Sequence, residues 1–327
     1  MTNFTDIPWD RITQFGQATM LDQKLFSTSW ILGRFCNYKC SYCWPYANSQ
    51  TPDHQELATY FDVIDNITEQ AHSNGFDKFH WSFSGGEPTA YKNLDKIIAH
   101  VDSKESKYTS VHLTTNLSPG MAYWKRWLKV VENLQRTSLT ASFHHEFANE
   151  QEFGDKILFL TDNNVFVTVN QVMIPEHFDE LYNRCQRFAA RGINVTLKPQ
   201  SDSTASHIVD GYTTEMISLM RTGFPQHSND NEVLQVRLVD DTKKVWYVDQ
   251  AERFNSFGFN KFKGWNCNSG YQSVIIRGDE VKRSYSCKEE SLGTLKSFKL
   301  FDSPKQCVTD TCVSSADSKI PKVKDAC

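Results

Sequence analysis

No run of about 18 consecutive apolar residues occurs in this 327-residue chain, so nothing in it reads as a membrane-spanning helix. Met1 to Trp9 has no basic segment leading into an apolar one, so no secretory leader is expected. Excess charge of one sign is also missing. The chain has 35 Lys and Arg against 39 Asp and Glu, a net charge of -4, with no basic cluster and no acidic tail. That balance argues against a nucleic-acid partner. Internal repeats, low-complexity tracts and long linkers are absent from the sequence as well. What remains is a cytoplasmic protein with no membrane partner, long enough for one large domain and a smaller appendage.

Aromatics and cysteines are plentiful by comparison, with eight Trp, 22 Phe and nine Cys. An odd cysteine count in a large chain without a leader favours metal binding over a disulfide framework. The cysteines sort into a tight triplet (Cys36, Cys40, Cys43), a C-terminal group (Cys267, Cys287, Cys307, Cys312) and two singles, Cys185 and Cys327. Cys185 reads as a small buried residue in mid-helix.

β-branched and aromatic runs at 27–32, 77–83, 110–115, 138–143, 165–172 and 194–198 alternate with helical stretches near 52–72, 94–102, 122–134, 152–161, 178–190 and 213–221. Six such βα units predict an α/β fold around a parallel sheet. After Gly223 the pattern changes to two expected hairpins, 233–239 with 245–248 and 273–276 with 281–285. Between them, the aromatic stretch from Phe254 to Trp265 reads as a packed loop.

The triplet stands as C-x3-C-x2-C in Gly33-Arg34-Phe35-Cys36-Asn37-Tyr38-Lys39-Cys40-Ser41-Tyr42-Cys43, after the first expected strand. Three thiolates are the soft ligands iron–sulfur clusters require, and they leave one position open. A zinc knuckle would need a fourth Cys or His at close spacing. Ser84-Gly85-Gly86-Glu87-Pro88 follows the second expected strand and Thr114-Thr115-Asn116 the third. In order and placement these segments resemble the signature of the radical S-adenosylmethionine (SAM) superfamily, over roughly residues 27–200.

The resemblance implies a partial (β/α)6 TIM-like barrel with a SAM-binding 4Fe-4S cluster on Cys36, Cys40 and Cys43. S-adenosyl-L-methionine would chelate the open iron and be cleaved to a 5′-deoxyadenosyl radical, with electrons from a reductant such as flavodoxin or ferredoxin. Gly85, Gly86 and Glu87 would grip the methionyl amino group, and Thr115 and Asn116 would belong to the same site. Ser142 matches a family serine on the fourth strand, and Asn170 an asparagine near the SAM ribose. The family's aspartate is replaced by His144, followed by His145. These two, with Lys198 at the end of the sixth strand, are candidates for substrate contact or catalysis, although such histidines can also simply hydrogen-bond in a sheet mouth.

Downstream, Cys267-x10-Gly278-x8-Cys287 followed by Cys307-x4-Cys312 resembles the auxiliary-cluster domain called Twitch, a shortened SPASM domain, with stretched spacings. It implies a second, auxiliary 4Fe-4S cluster on Cys267, Cys287, Cys307 and Cys312. A structural zinc is the other reading of four cysteines. The expected division is an N-terminal extension over 1–26, the barrel over 27–223 and the cluster domain over 224–327. The expected activity is oxidative hydrogen-atom abstraction from a carbon of a small molecule or peptide, with the auxiliary cluster taking the second electron. Modification of a nucleotide or tRNA base is the second enzymatic reading. A non-catalytic iron–sulfur or zinc-stabilised module is the third, and it leaves the glycine pair and the six βα units unexplained.

Overall fold

The computed structural model describes residues 6–43, 49–104, 106–202, 207–225, 236–248, 258–287 and 290–324. Strand β1 (Ile12–Gln17) and helix α1 (Ala18–Gln23) open the described chain. Six parallel strands follow: β2 (Leu25–Ile31), β3 (Lys78–Ser84), β4 (Tyr108–Thr115), β5 (Arg136–Phe143), β6 (Phe166–Met173) and β7 (Asn194–Pro199). They alternate with α2 (Leu57–Ser73), α3 (Leu94–Asp102), α4 (Met121–Val130), α5 (Glu150–Asp162), α6 (Phe178–Ala190) and α7 (Thr214–Thr222). The six expected βα units are therefore present.

Every second strand residue explains which face each strand buries. Phe79, Trp81, Phe83, Val111, Leu113, Leu139, Val167, Val169 and Val195 pack under the helices in one core. Tyr60, Val63, Ile64 and Ile67 of α2 meet them with no exposed surface. Each fully buried aliphatic side chain of this kind contributes about 1.5–3 kcal/mol. The intervening residues, among them Ser82, His112, Thr140, Ser142, Asn170 and Lys198, line the helix-free concave face and stay partly exposed.

The chain continues through β8 (Val236–Asp240), β9 (Val245–Val248), β10 (Asn266–Cys267), β11 (Ser273–Arg277), β12 (Glu280–Lys282), β13 (Ser291–Thr294), β14 (Ser297–Phe298), β15 (Lys305–Gln306), the single turn α8 (Ser315–Ser318) and β16 (Lys322–Val323). The main sheet runs β14-β13-β12-β11-β2-β3-β4-β5-β6-β7. Its first and last strands do not pair with each other, so the barrel is partial. A second, antiparallel sheet runs β15-β10-β16-β1-β8-β9.

Three features depart from the expected layout. The two hairpins lie in different sheets, because β11 pairs in parallel with β2, Ser273 opposite Ser27, and carries its hairpin into the main sheet. Within the 1–26 extension, β1 buries Ile12 and Phe15 and pairs with both β8 and β16. Helix α2 starts at Leu57 instead of near residue 52, because the Asp53 carboxylate accepts the Arg34 and Phe35 N–H groups. Residues 233–235 of the first expected hairpin, Phe254, Phe257 and Cys327 lie outside the described residues. The rest of the aromatic stretch packs as expected, with Phe262 buried against Phe15 and Phe259 stacked on Trp9 at 4.1 Å. Cys185 is fully buried in α6.

Candidate active site

The tri-cysteine loop sits at the C-terminal ends of the parallel strands, and the surrounding chain holds it at several points. Asp53 accepts the Arg34 N–H at 2.8 Å and the Phe35 N–H at 3.0 Å. Cys36 N–H donates to the Ser49 carbonyl at 3.0 Å, and Gln50 Nε2 donates to the Cys36 carbonyl at 3.2 Å. The far side is tied to the segment after β4: Asn116 Nδ2 donates to Asn37 Oδ1, and Asn37 Nδ2 donates to Ser118 Oγ, both at 2.9 Å. Cys36 and Cys43 are half-buried and Cys40 is buried, all three as free thiols. Burial, followed by the nearby Cys43, Glu146 and Cys36 charges, pushes the Cys40 thiol up to about 12. Three thiolates crowded together need cationic charge among them, which a metal cluster supplies. The donor set therefore fits an iron–sulfur centre.

The glycine pair makes its close approach to this loop's own backbone. Gly86 N–H donates to the Gly33 carbonyl at 2.9 Å and Glu87 N–H to the Phe35 carbonyl at 2.8 Å. A Cβ on Gly86 would meet the Phe35 oxygen at 2.1 Å, and Gly85 has a φ of +148°, so both positions require glycine. Glu87 is 1% exposed, and its carboxylate accepts from Thr89 N–H at 3.0 Å, Thr89 Oγ1 at 2.6 Å, Thr115 Oγ1 at 2.7 Å and Asn116 N–H at 2.6 Å. Glu87, Thr115 and Asn116 thus form a latch between β3 and β4. Burial pushes the Glu87 acid up, although each of these bonds pulls it down. The buried Lys156 ammonium closes the latch from outside by donating to the Leu117 carbonyl at 2.9 Å.

His144 and His145 follow β5 and flank the loop. Tyr42 Oη and His144 Nδ1 are 3.0 Å apart, Tyr42 stacks on His145 at 5.4 Å, and Tyr38 stacks on Phe147 at 4.8 Å. Ser41 donates to Glu146 from its N–H at 2.9 Å and also from its hydroxyl. Burial lowers His144 to about 4, so it is a neutral, loop-holding imidazole at ordinary pH. Beside it lies a cavity of about 380 Å³, lined by Tyr42, His145, Ile174, Glu176, His177 and Gln200 among others. Ser142 and Asn170 are register partners on the concave face, and Lys198 lies opposite Val172 on the last strand. The histidines and the loop are thus brought together, whereas Lys198 stands on β7 apart from the loop's hydrogen bonds.

The four C-terminal cysteines come from separate segments: Cys267 lies on β10 of the second sheet, Cys287 in the connection from β12 to β13 of the main sheet, and Cys307 and Cys312 after β15. Each is buried, at 4–8% exposure, and each is a free thiol. Cys307 N–H donates to the Trp265 carbonyl at 2.8 Å, and Cys312 N–H to the Asn260 carbonyl at 2.8 Å. Charge on Cys267 acts on both Cys287 and Cys312, and Cys307 acts on Cys287, so the four thiols are close enough to interact electrostatically. Lys322, the register partner of Cys267, is 1% exposed. Its ammonium donates to the Asp317, Ser318 and Ile320 carbonyls and lies 4.7 Å from the Phe262 ring centroid. Among the described residues no three His, Cys, Asp or Glu side chains converge on a single ion.

Sequence reasoning missed Asp53, Asn37, Ser41 and Glu146. Asp53 resembles an ordinary helix cap, and Ser41 and Glu146 are 105 residues apart in sequence. Only the three-dimensional pairing of loops reveals them.

An open α/β barrel with a latched tri-cysteine loop at its mouth defines a class of cluster-bearing proteins. The model of the radical SAM superfamily matches residues 30–198, just over half of the chain, and the chain belongs to that superfamily. Among curated proteins, GTP 3′,8-cyclase of Clostridium botulinum (strain Hall) is 31% identical over 81 residues. That stretch is 25% of this chain and 24% of the cyclase, so it spans about a quarter of the relative's length. Among solved structures, anSMEcpe with bound AdoMet aligns with a TM-score of 0.55 at 13% identity, covering 84% of this chain and 79% of that one. The same protein with AdoMet and the Cp18Cys peptide aligns with a TM-score of 0.56 at 11% identity, covering 84% and 78%. At such identities the likeness is one of fold. No helix among the described residues is long and apolar enough to cross a membrane.

Proposed function

We propose that this chain is an oxidative radical SAM enzyme that removes hydrogen from an unactivated carbon of a small-molecule or peptide substrate. Cys36, Cys40 and Cys43 would hold one 4Fe-4S cluster, and Cys267, Cys287, Cys307 and Cys312 a second. The chemistry these groups supply when bound is reductive cleavage of SAM, with the resulting 5′-deoxyadenosyl radical abstracting the hydrogen atom. The chain's own share is positional. Asp53, the glycine pair and the Asn37–Asn116 pair fix the loop rigidly. Glu87 orders Thr115 and Asn116 beneath the SAM site, and the stacked Tyr42 and His145 offer an aromatic wall to a nucleoside. Four buried thiols drawn from distant segments are the observation that carries the oxidative part, since a fully ligated second cluster suits electron transfer.

Metal analysis of anaerobically reconstituted protein tests this. About eight iron per chain is expected, and about four iron with one zinc would replace the second cluster by a structural metal. Cys312→Ala should then keep SAM cleavage while losing product that is two hydrogens lighter than substrate. An isomer of unchanged mass, formed at normal rate by Cys312→Ala, would overturn the electron-acceptor role. The stretch shared with the GTP 3′,8-cyclase favours a nucleotide as the second substrate reading.

A further inference from the structure

Lys322 of β16 stands opposite Cys267 of β10, and Lys305 of β15 stands opposite the same cysteine on its other side. Antiparallel partners point to one face of a sheet, with Cβ atoms about 4.5–5.5 Å apart. Lys305 is exposed, whereas Lys322 is 1% exposed. The Lys322 ammonium donates to the Asp317, Ser318 and Ile320 carbonyls at 2.9, 3.2 and 2.8 Å, which commits its N–H groups to neutral acceptors. Among the described residues it makes no ion pair. It lies 4.7 Å from the Phe262 ring centroid and 5.9 Å from that of Phe15, and both rings belong to the buried cluster that contains Cys267, Cys307 and Cys312.

Neighbouring charges offset this ammonium only in part. The buried Asp317 carboxylate is taken up by Ser286, whose N–H and hydroxyl each donate to it at 2.7 Å. Arg283, 2% exposed, is matched by Glu290 at 2.6 Å. At Cys312 burial is the largest influence and pushes the thiol up to about 11, but among the charges acting there that of Lys322 comes first, ahead of the opposing Asp317. An ammonium buried on carbonyls alone is costly. Anionic sulfur on the same face of the sheet offsets that cost.

We propose that Lys322 is the counter-charge of the C-terminal thiolates and raises the reduction potential of the cluster that Cys267, Cys287, Cys307 and Cys312 would hold. With its donors occupied by carbonyls, it acts through its field and not by bonding sulfur. Uptake of one electron adds a negative charge to the group and no proton, and a fixed buried cation stabilises the more negative state. That electron would come from the substrate radical, which is oxidised and sheds a proton to water. Lys322 is thus a positioning residue that acts through the cysteines. The inference rests on the proposed function for the presence of a redox-active cluster there.

A redox titration of the reconstituted full chain, followed by electron paramagnetic resonance, tests it in a parent whose Cys36, Cys40 and Cys43 are all replaced by Ala, so that the SAM-site cluster is absent. Lys322→Met should keep about four iron per chain. At a given potential its reduced-to-oxidised ratio should be about tenfold lower, which is a midpoint about 59 mV lower for a one-electron couple. Lys322→Arg keeps the charge and should stay with the parent. Lys322→Gln, which offers amide donors to the carbonyls, is the second neutral variant should Lys322→Met fail to fold, as judged by circular dichroism. An unmoved midpoint in the folded, iron-loaded neutral variants overturns the inference, as does an equal shift in Lys322→Arg, which would trace the effect to packing. Failure of both neutral variants to fold or to take iron would make Lys322 structural and overturn it as well. Iron absent from the parent, or replaced by zinc, sinks the auxiliary-cluster reading itself, whereas iron present with an unmoved midpoint sinks only this inference.

Discussion

Four hydrogen-bond donors surround the buried Glu87 carboxylate, and each would lose its acceptor in Glu87→Ala. Stranding buried donors costs about 1–3 kcal/mol apiece before relaxation. A loss of about 3 kcal/mol is therefore expected in urea unfolding of the metal-free chain, followed by tryptophan fluorescence. A loss under about 0.5 kcal/mol, the size of an ordinary surface substitution, would mean that Glu87 is not a latch. Tyr42→Phe is a milder change at the same scale. It deletes the hydroxyl's hydrogen bonds with His144 and with the Cys40 thiol and should cost about 1–2 kcal/mol in the same assay.

At the scale of elements, the loop and the glycine pair are one unit, since their backbones touch. Gly86→Ala puts a Cβ against the Phe35 carbonyl and should displace the loop. Iron bound after reconstitution should fall by about half, the C-terminal set keeping its share. Full iron content in Gly86→Ala would contradict that coupling. The hairpin β8–β9 gives a pH-dependent case. Asp240 accepts from the Thr242 hydroxyl at 2.6 Å, from Trp246 Nε1 at 3.1 Å and from two backbone N–H groups, and these bonds, the Thr242 hydroxyl's first, hold its acid down to about 2. A depressed carboxyl contributes stability above the usual carboxylate range, and that stability fades as pH falls through about 2. Asp240→Asn should remove this part of the acid sensitivity, read from unfolding midpoints between pH 4 and 2.

Elements were legible where their signal is local. The strand pattern of β3 or β6 repeats every two residues, and the α6 stripe repeats at helical spacing, so both can be read from a dozen residues. The pairing of β11 with β2 joins residues about 246 positions apart, such as Ser27 and Ser273, and leaves no mark in either segment. Two-residue strands such as β10, β14, β15 and β16 are too short for any periodicity. At the site, the cysteine spacing and the glycine pair were readable because their chemistry demands those residue types. The role of Asp53 was not, because a carboxylate ahead of a helix has a commoner use as its cap.

Among the described residues, His80, His112 and His144 are the histidines whose burial lowers them furthest. Burial lowers His80 to about 4, His112 to about 3 and His144 to about 4. Their folded values lie below the ordinary one of about 6.5, so the unfolded chain takes up protons that the native chain refuses. Their stabilising effect is complete above pH 6.5 and is lost as pH falls toward 4 and below. Each should steepen the pH dependence of unfolding by about 1.4 kcal/mol per pH unit near pH 5. His112→Gln should flatten that slope by one such increment, and an unaltered slope would mean that His112 is protonated in the native chain.

The same molecule fixes a cysteine loop at the barrel mouth and carries a second cysteine group whose Cys267 strand is tied in through β16 and β1, and the proposed function assigns both groups to one reaction. Anaerobic incubation of the reconstituted chain with SAM and dithionite, with 5′-deoxyadenosine measured by mass spectrometry, tests that claim most directly. The wild-type chain should form 5′-deoxyadenosine, and Cys40→Ala should form none. No 5′-deoxyadenosine from fully iron-loaded wild-type protein, or equal amounts from Cys40→Ala, would contradict the account.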